Sequence, residues 1–326
     1  MSDHAPRPRL ARDLYVTQLR IRRFEETVAR LFAQGRLPGF VHLSIGQEAV
    51  AAGACAALRD DDVITSTHRG HGHCIAKGGH LGRMMAELFG GRDGYCAGLG
   101  GSMHIADLER GILGANGIVG AGIPIATGAA YAFQAQGTGR VALAFFGDGA
   151  VNEGAFHEGL NLAALWHLPV VYVCEDNGYA ELTATDLHTA GPGVAARAAA
   201  YGMHAEEVDG TDALAVHDAV ARAVECCRAK EGPALVVAHA PRWHGHFEGD
   251  PQRYRPMGEL EEARRRDPVG RLGHRLLAEG WADESWLTSV TAEVEAEIAA
   301  AVAFAERSLP LELEAMLHLA GAEASW

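Results

Sequence analysis

The sequence FFGDGAVNEGAFHEGLNLAALWHLPVVYVCEDNGY, residues 145–179, decides the fold. It begins inside an apolar run, residues 141–146, whose pattern is typical of a strand buried on both faces. Apolar positions over residues 152–167 recur at helical spacing, Pro169 ends that segment, and residues 170–174 form a second apolar run. This order predicts a βαβ unit with a right-handed crossover and two parallel strands.

Two oxygen-rich loops follow the two predicted strands. Gly147-Asp148-Gly149 comes after the first strand, and Asp176-Asn177 comes after the second. Parallel strands place both loops at one sheet edge, where α/β proteins bind ligands. Carboxylate and amide oxygens suit Mg²⁺, and flanking glycines let the backbone approach phosphate closely. The loops therefore predict a site for a divalent cation and a diphosphate, with an ordinary tight turn and loop as the alternative.

The composition excludes several classes of function. The chain has 326 residues, with 28 basic and 42 acidic residues and a formal charge of −14, which argues against a nucleic-acid surface. We find no apolar run as long as a membrane span and no signal-peptide core near the N-terminus. The six cysteines include no CxxC pair, which favours free thiols in a reducing compartment. We therefore expect a cytoplasmic protein that binds neither nucleic acid nor membrane.

A glycine- and histidine-rich segment, STHRGHGHCIAKGG at residues 66–79, follows the predicted strand 63–65. His68, His71 and His73 are metal ligands by composition, but no acidic or cysteine ligand lies among them and Arg69 would repel a cation. The segment favours an anion-binding loop in which Arg69 donates to a phosphate, and a metal site is the alternative.

A second glycine-rich segment, residues 90–122, raises the question of a dinucleotide site. It includes GLGGSMH at residues 98–104 and GANGIVGAGIP at residues 114–124. No G-x-G-x-x-G follows a strand here with an acidic residue about 20 positions on, so a nicotinamide site is not expected. Close packing of helices is the alternative explanation for several of these glycines.

The two oxygen-rich loops resemble the thiamine diphosphate signature GDG…NN. The surrounding sequence is similar to the α subunit of the E1 component of 2-oxo acid and acetoin dehydrogenase complexes, over roughly residues 10–260. The resemblance implies that Mg²⁺ is held by Asp148, Asn177 and the main-chain carbonyl of Tyr179. It also shows a departure, because Asp176 stands where the family has asparagine.

The resemblance carries over to further residues. Arg69 and His71 match an aromatic-Arg-x-His segment that contacts the diphosphate, with His68 in place of the usual tyrosine. Gly117 and Val119 match main-chain contacts to the aminopyrimidine, and His246 matches the last histidine of an HGH motif beside the thiazolium ring. His71 and His246 are the expected catalytic residues. The full expected set of cofactor contacts is His68, Arg69, Gly117, Val119, Asp148, Gly149, Ala150, Asn177 and His246.

The loop HFEGDPQ, residues 246–252, bears on the substrate. It departs from the HSxxDP form of pyruvate-type subunits, because Phe247 replaces a serine that can be phosphorylated, and it is more similar to the acetoin-type branch. Pyruvate and branched-chain 2-oxo acids are the alternative substrates. A non-catalytic cofactor-binding scaffold is a further alternative, and a transketolase-like enzyme would have a longer chain.

The resemblance also implies an architecture and partners. We expect a thiamine diphosphate-binding α/β fold with a mainly parallel sheet flanked by helices, in which residues 41–256 form the cofactor domain. Residues 1–40 and 257–326 are expected to be helical extensions. A separate β subunit should supply the glutamate that activates the cofactor, in an α2β2 assembly. The acyl unit should pass to a lipoyl group on an E2 partner.

Overall fold

The computed structural model describes residues 7–319. A five-stranded, entirely parallel sheet lies at its centre, in the order β1-β2-β3-β7-β6, and β4 and β5 form a separate antiparallel pair. The strands are β1 (Val63–Thr65), β2 (Ala142–Gly147), β3 (Val170–Asp176), β4 (Tyr179–Ala180), β5 (Thr183–Ala184), β6 (His204–Asp209) and β7 (Ala234–His239).

Helices cover both faces of the sheet. They are α1 (Arg7–Ala33), α2 (Glu48–Ala56), α3 (His71–Ala76), α4 (Leu81–Phe89), α5 (Gly122–Gln136), α6 (Gly154–Leu165), α7 (Thr185–His188), α8 (Val194–Ala199), α9 (Ala213–Arg228), α10 (Glu259–Arg265), α11 (Pro268–Ala278), α12 (Glu284–Arg307) and α13 (Leu313–Leu319). Two short 3₁₀ helices span Leu108–Arg110 and Asp148–Asn152.

The apolar runs of the sequence become strands buried on both faces. Along β2, Leu143 and Phe145 join the larger core with α1, α2, α9 and α12, while Ala144 and Phe146 join a second core with α5, α6 and α8. Successive side chains of a strand point to opposite faces, so a strand between two helical layers must be apolar throughout. The mainly parallel α/β sheet predicted from the sequence is confirmed.

The predicted βαβ unit is present as β2, α6 and β3. Ala142 to Gly147 pair in parallel with Val170 to Glu175. The 3₁₀ turn at Asp148–Asn152 delays the α-helix to Gly154, two residues later than the spacing predicted. Asp148 lies directly at the carboxyl end of β2, and Asn177 lies directly after β3.

Acidic side chains set the starts of two helices. Residues 43–47 are not helical, because Glu25 and Glu48 accept hydrogen bonds from the backbone N–H of Ser44 and Gly46, and Gly46 has φ +101°. Helix α2 therefore starts at Glu48. Asp212 caps α9, since its side chain accepts from the N–H groups of Leu214 and Ala215.

The predicted helical extensions pack onto the sheet domain. Helix α1 contacts α2, α11 and α12, and buried residues of α1 and α12 belong to the same core as β2 and β3. The predicted boundaries at residues 40 and 256 stay predictions, and residues 1–6 and 320–326 of those extensions lie outside the described part. Among residues 7–319, no helix is both long enough and apolar enough for a membrane span.

Candidate active site

A cavity of about 300 Å³ opens at the carboxyl edge of the sheet. Parallel strands place their following loops here, together with the positive ends of the helices that begin after them. Its wall includes His68, Arg69, Val119, Asp148, Gly149, Ala150, Asn177, Tyr179, Arg242 and His246. Sequence segments distant along the chain therefore meet in one site.

Asp148 is a buried carboxylate with an unused oxygen. Its Oδ2 accepts a hydrogen bond from the hydroxyl of Thr185, while its Oδ1 is buried without a hydrogen-bond partner. Burial raises the pKa of Asp148, and the hydrogen bond from Thr185 only partly opposes this. A buried carboxylate needs a compensating cation or proton. The donor set therefore fits a hard cation such as Mg²⁺.

The two other predicted metal ligands lie in the same wall. The side chain of Asn177 accepts a hydrogen bond from the N–H of Tyr179 at 3.2 Å, which closes a tight turn after β3. Tyr179 begins β4 and packs against Tyr254, with ring centroids 5.3 Å apart. The structure thus brings Asp148, Asn177 and Tyr179 together, while their ligation of a metal stays a prediction.

Asp176, the unusual residue of the second loop, does not line the cavity. Its Oδ2 lies 3.1 Å from Nδ1 of His239 on the neighbouring strand β7, and its Oδ1 accepts from the N–H of Gly178. The other ring nitrogen of His239 lies 3.0 Å from Glu207. The two carboxylates raise the pKa of His239 to about 9, against the opposing effect of burial. Asp176 therefore pairs with an imidazolium and does not face the cavity.

Two buried arginines give the cavity a positive wall. Arg69 donates to the carbonyls of Leu43 and His246, at 2.7 and 3.0 Å, and Arg242 donates to Tyr254 Oη at 2.8 Å. Burial, followed by repulsion from Arg242, lowers the pKa of Arg69 to about 10, so it stays charged at neutral pH. Neither guanidinium forms an ion pair among the described residues. Unpaired buried guanidiniums suit a diphosphate.

The structure places His71, a predicted catalytic residue, outside the cavity lining, and its catalytic role stays a prediction. His71 is buried below the cavity wall, with Nδ1 2.9 Å from Glu25 and Nε2 2.9 Å from the hydroxyl of Ser102. Both ring nitrogens are engaged inside the protein, so the ring holds the glycine-rich segment around Ser102 against α1. The structure gives it no direct contact with the cavity, because α3 begins at His71 and turns the side chain inward.

His68 and His246 do line the cavity, and His42 joins them behind the wall. The three ring centroids lie 4.8 to 5.3 Å apart. Burial, and then the charge of Arg69, lowers the pKa of His42 to about 3 and of His246 to about 4, and it places that of His68 well below its usual value. All three rings are therefore neutral at neutral pH.

The remaining predicted contacts lie around the same opening. Val119, Gly149 and Ala150 line the cavity, whereas Gly117 lies between two lining residues, Asn116 and Ile118. Gly149 is required sterically, because a Cβ there would lie 2.8 Å from the Cβ of Ala180. A main-chain role for Gly117 and Val119 is compatible with this placement and stays a prediction.

Comparison with known proteins agrees with this geometry. The model of the dehydrogenase E1 component family matches residues 17–314. The chain belongs to the dehydrogenase E1 component family. Family members depend on thiamine diphosphate, in agreement with a cavity that offers an orphaned carboxylate and unpaired guanidiniums.

Three relatives describe where this E1 chain lies within the family. It is 52% identical over 296 residues to the α subunit of acetoin:2,6-dichlorophenolindophenol oxidoreductase of Bacillus subtilis, covering 90% of this chain and 88% of the relative. The Cupriavidus necator protein of the same name is 48% identical over 283 residues, covering 86% and 85%. Pyruvate dehydrogenase E1 component subunit alpha of Rhizobium meliloti is 41% identical over 293 residues, covering 90% and 84%. The predicted family, with the acetoin-type branch favoured, is confirmed.

Sequence reasoning missed several residues of this E1 site. His42 and Thr185 carry no motif of their own, and only folding brings them to His246 and Asp148. Arg242 was only a weaker candidate, indicated by its position directly after a buried strand, two residues beyond Ala240. His239 ends β7 directly opposite Asp176, so the parallel register was the signal for that pair.

Proposed function

We propose that this chain is the α subunit of an acetoin-cleaving E1 component that uses thiamine diphosphate and Mg²⁺. Asp148 carries the proposal, because its buried Oδ1 lacks a partner in a cavity walled by Arg69 and Arg242. Asp148, Asn177 and the carbonyl of Tyr179 would hold Mg²⁺, and the arginines would hold the diphosphate. The names of the two acetoin-type relatives support the substrate, with pyruvate as the runner-up.

When bound, thiamine diphosphate supplies a nucleophilic carbon and an electron sink for breaking a carbon–carbon bond beside a carbonyl. The residues of this chain would bind and orient the cofactor and the substrate, and they would transfer protons. His246 and His68 are neutral and line the cavity, so each presents a nitrogen that donates or accepts according to its tautomer to an uncharged hydroxyketone. Arg69 donates a hydrogen bond to the backbone carbonyl of His246 and so holds that residue at the cavity. The acyl unit would pass to a lipoyl group of an E2 partner.

Exposed apolar residues around the mouth of the cavity favour contact with a partner subunit. Ile118 and Val119, beside the cavity, are 71% and 48% exposed, and Ile125 and Tyr131 on α5 are also exposed. Exposed apolar residues grouped near a site are typical of an interface. Glu175 lines the cavity, but its Oε1 lies 3.3 Å from Nε2 of His73. We therefore expect the glutamate that activates the cofactor to come from a β subunit in an α2β2 assembly. The six free thiols suit the cytoplasm.

Reconstitution tests the proposal. The purified chain alone should reduce an artificial electron acceptor at a negligible rate with acetoin, Mg²⁺ and thiamine diphosphate, and it should gain turnover when the β subunit is added. A high rate from the isolated chain would contradict the partner requirement. Calorimetry of the assembly, combined with the turnover assay, separates a catalytic subunit from a cofactor-binding scaffold, because the scaffold would bind thiamine diphosphate without turnover.

A further inference from the structure

Three histidines from distant parts of the chain converge beside the cavity. His42 precedes α2, His68 follows β1, and His246 lies in the loop after β7. One ring nitrogen from each lies within 4.8 Å of those of the other two. This set differs from His68, His71 and His73, which the sequence offered as a metal motif, because His71 and His73 point into the core and are paired with Glu25 and Glu175.

Two of these rings carry unused nitrogens. Nδ1 of His42 and Nδ1 of His246 are buried without a hydrogen-bond partner. A buried polar atom without a partner is destabilising and calls for an explanation such as an ion or ligand. Neutral imidazoles are the ligands that Zn²⁺ and related transition metals prefer, whereas Mg²⁺ prefers oxygen.

We propose that His42, His68 and His246 form a three-histidine binding site for a transition-metal ion of the Zn²⁺ type, separate from the Mg²⁺ position at Asp148. Three protein nitrogens with an open fourth position are the arrangement of zinc sites that remain accessible to other ligands. Because His68 and His246 line the cavity, the bound ion occupies space that substrate needs. Zinc at this site therefore inhibits the enzyme.

The surrounding groups set the strength of the site. Zn–N distances of about 2.0–2.1 Å require the ligand nitrogens to lie roughly 3.3 Å apart, so side-chain rotations must bring them closer than the present spacing. Arg69 and Arg242 repel a cation at the cluster, while Asp250, whose carboxylate accepts from the backbone N–H of His246, attracts one. We therefore expect moderate affinity, in keeping with a reversible inhibitory ion.

Titration with Co²⁺ tests the site directly. The tag-free full chain, in its purified assembly and with excess Mg²⁺, should bind one Co²⁺ per chain with the strong visible absorption of a low-coordinate site, and Zn²⁺ should displace it. His42→Asn and His68→Tyr should each weaken binding at least tenfold, since each removes one ligand. His244→Asn is the matched control from the same loop as His246, and Asp148→Asn tests separation from the Mg²⁺ position. Both should keep the native affinity.

Two results would overturn the proposal. One is no Co²⁺ absorption by the native assembly up to millimolar metal. The other is unchanged affinity in both ligand variants, with circular dichroism and thermal melting showing that they are folded. The measurement needs no turnover, so it succeeds or fails independently of the proposed acetoin activity.

Discussion

Glu25 and His71 form a buried pair, with Oε2 2.9 Å from Nδ1, that ties helix α1 to the start of α3. Burial raises the pKa of Glu25, but His71 and two hydrogen bonds from Ser44 outweigh this and hold it below its usual value. His71→Ala leaves the carboxylate without its main partner. We expect a loss of about 3–5 kcal/mol in the free energy of unfolding, measured by denaturant titration.

A double-mutant cycle isolates this pair. Glu25→Gln and His71→Gln, alone and together, should give a coupling energy of about 1–3 kcal/mol. His274→Ala, at an exposed position of α11, serves as the control and should change stability by less than about 0.5 kcal/mol. Additive effects of the two substitutions would show that the pair does not stabilise the fold.

Asp148 should destabilise the metal-free protein and stabilise the loaded one. Burial raises the pKa of Asp148 in the folded state. The protonated carboxyl is therefore tolerated at low pH, and the free energy of unfolding decreases as pH rises through the folded pKa. At neutral pH and without Mg²⁺, Asp148→Asn should melt at the same temperature as the native assembly or higher. With Mg²⁺ and thiamine diphosphate at about 100 times Kd, the native assembly should gain roughly 2.7 kcal/mol. An equal gain in the variant would remove Asp148 from the metal site.

The glycines on either side of Asp148 should respond differently to alanine. A Cβ at Gly149 would lie 2.8 Å from the Cβ of Ala180, whereas the nearest atom to a Cβ at Gly147 lies 3.9 Å away. Gly149→Ala should therefore displace β4 and Tyr179 and weaken thiamine diphosphate binding by about tenfold or more, equivalent to 1.4 kcal/mol. Gly147→Ala is the matched control, and calorimetry should find its affinity nearly native. Equal effects would contradict the steric argument.

His239 should report on Asp176 through the pH dependence of stability. The pKa of His239 is raised to about 9, so its stabilising effect is fully present below its unfolded pKa of about 6.5 and is lost as pH rises through 9. Its side chain is 46% exposed, which limits the effect to less than about 1 kcal/mol. Asp176→Asn should lower the pKa of His239 in an NMR titration while retaining Mg²⁺-dependent cofactor binding. Loss of that binding would make Asp176 a metal-site residue.

The sequence predicted the sheet and one side of the site for a clear physical reason. Buried parallel strands are apolar throughout, so β2 and β3 were visible as runs, and the loops after them had to meet at one edge. The inward turn of His71 depended on where α3 begins, which the glycines of that segment did not reveal. The partner of Asp176 depended on strand order, because β7 lies beside β3 only after folding.

Dye reduction by the reconstituted assembly tests the central claim most directly. With the β subunit, Mg²⁺ and thiamine diphosphate present, kcat/KM should be measured for acetoin, pyruvate and a branched-chain 2-oxo acid. Acetoin should exceed each of the others by at least about tenfold, and omitting thiamine diphosphate should abolish the rate. A higher kcat/KM for pyruvate, or a rate that persists without thiamine diphosphate, would contradict the account.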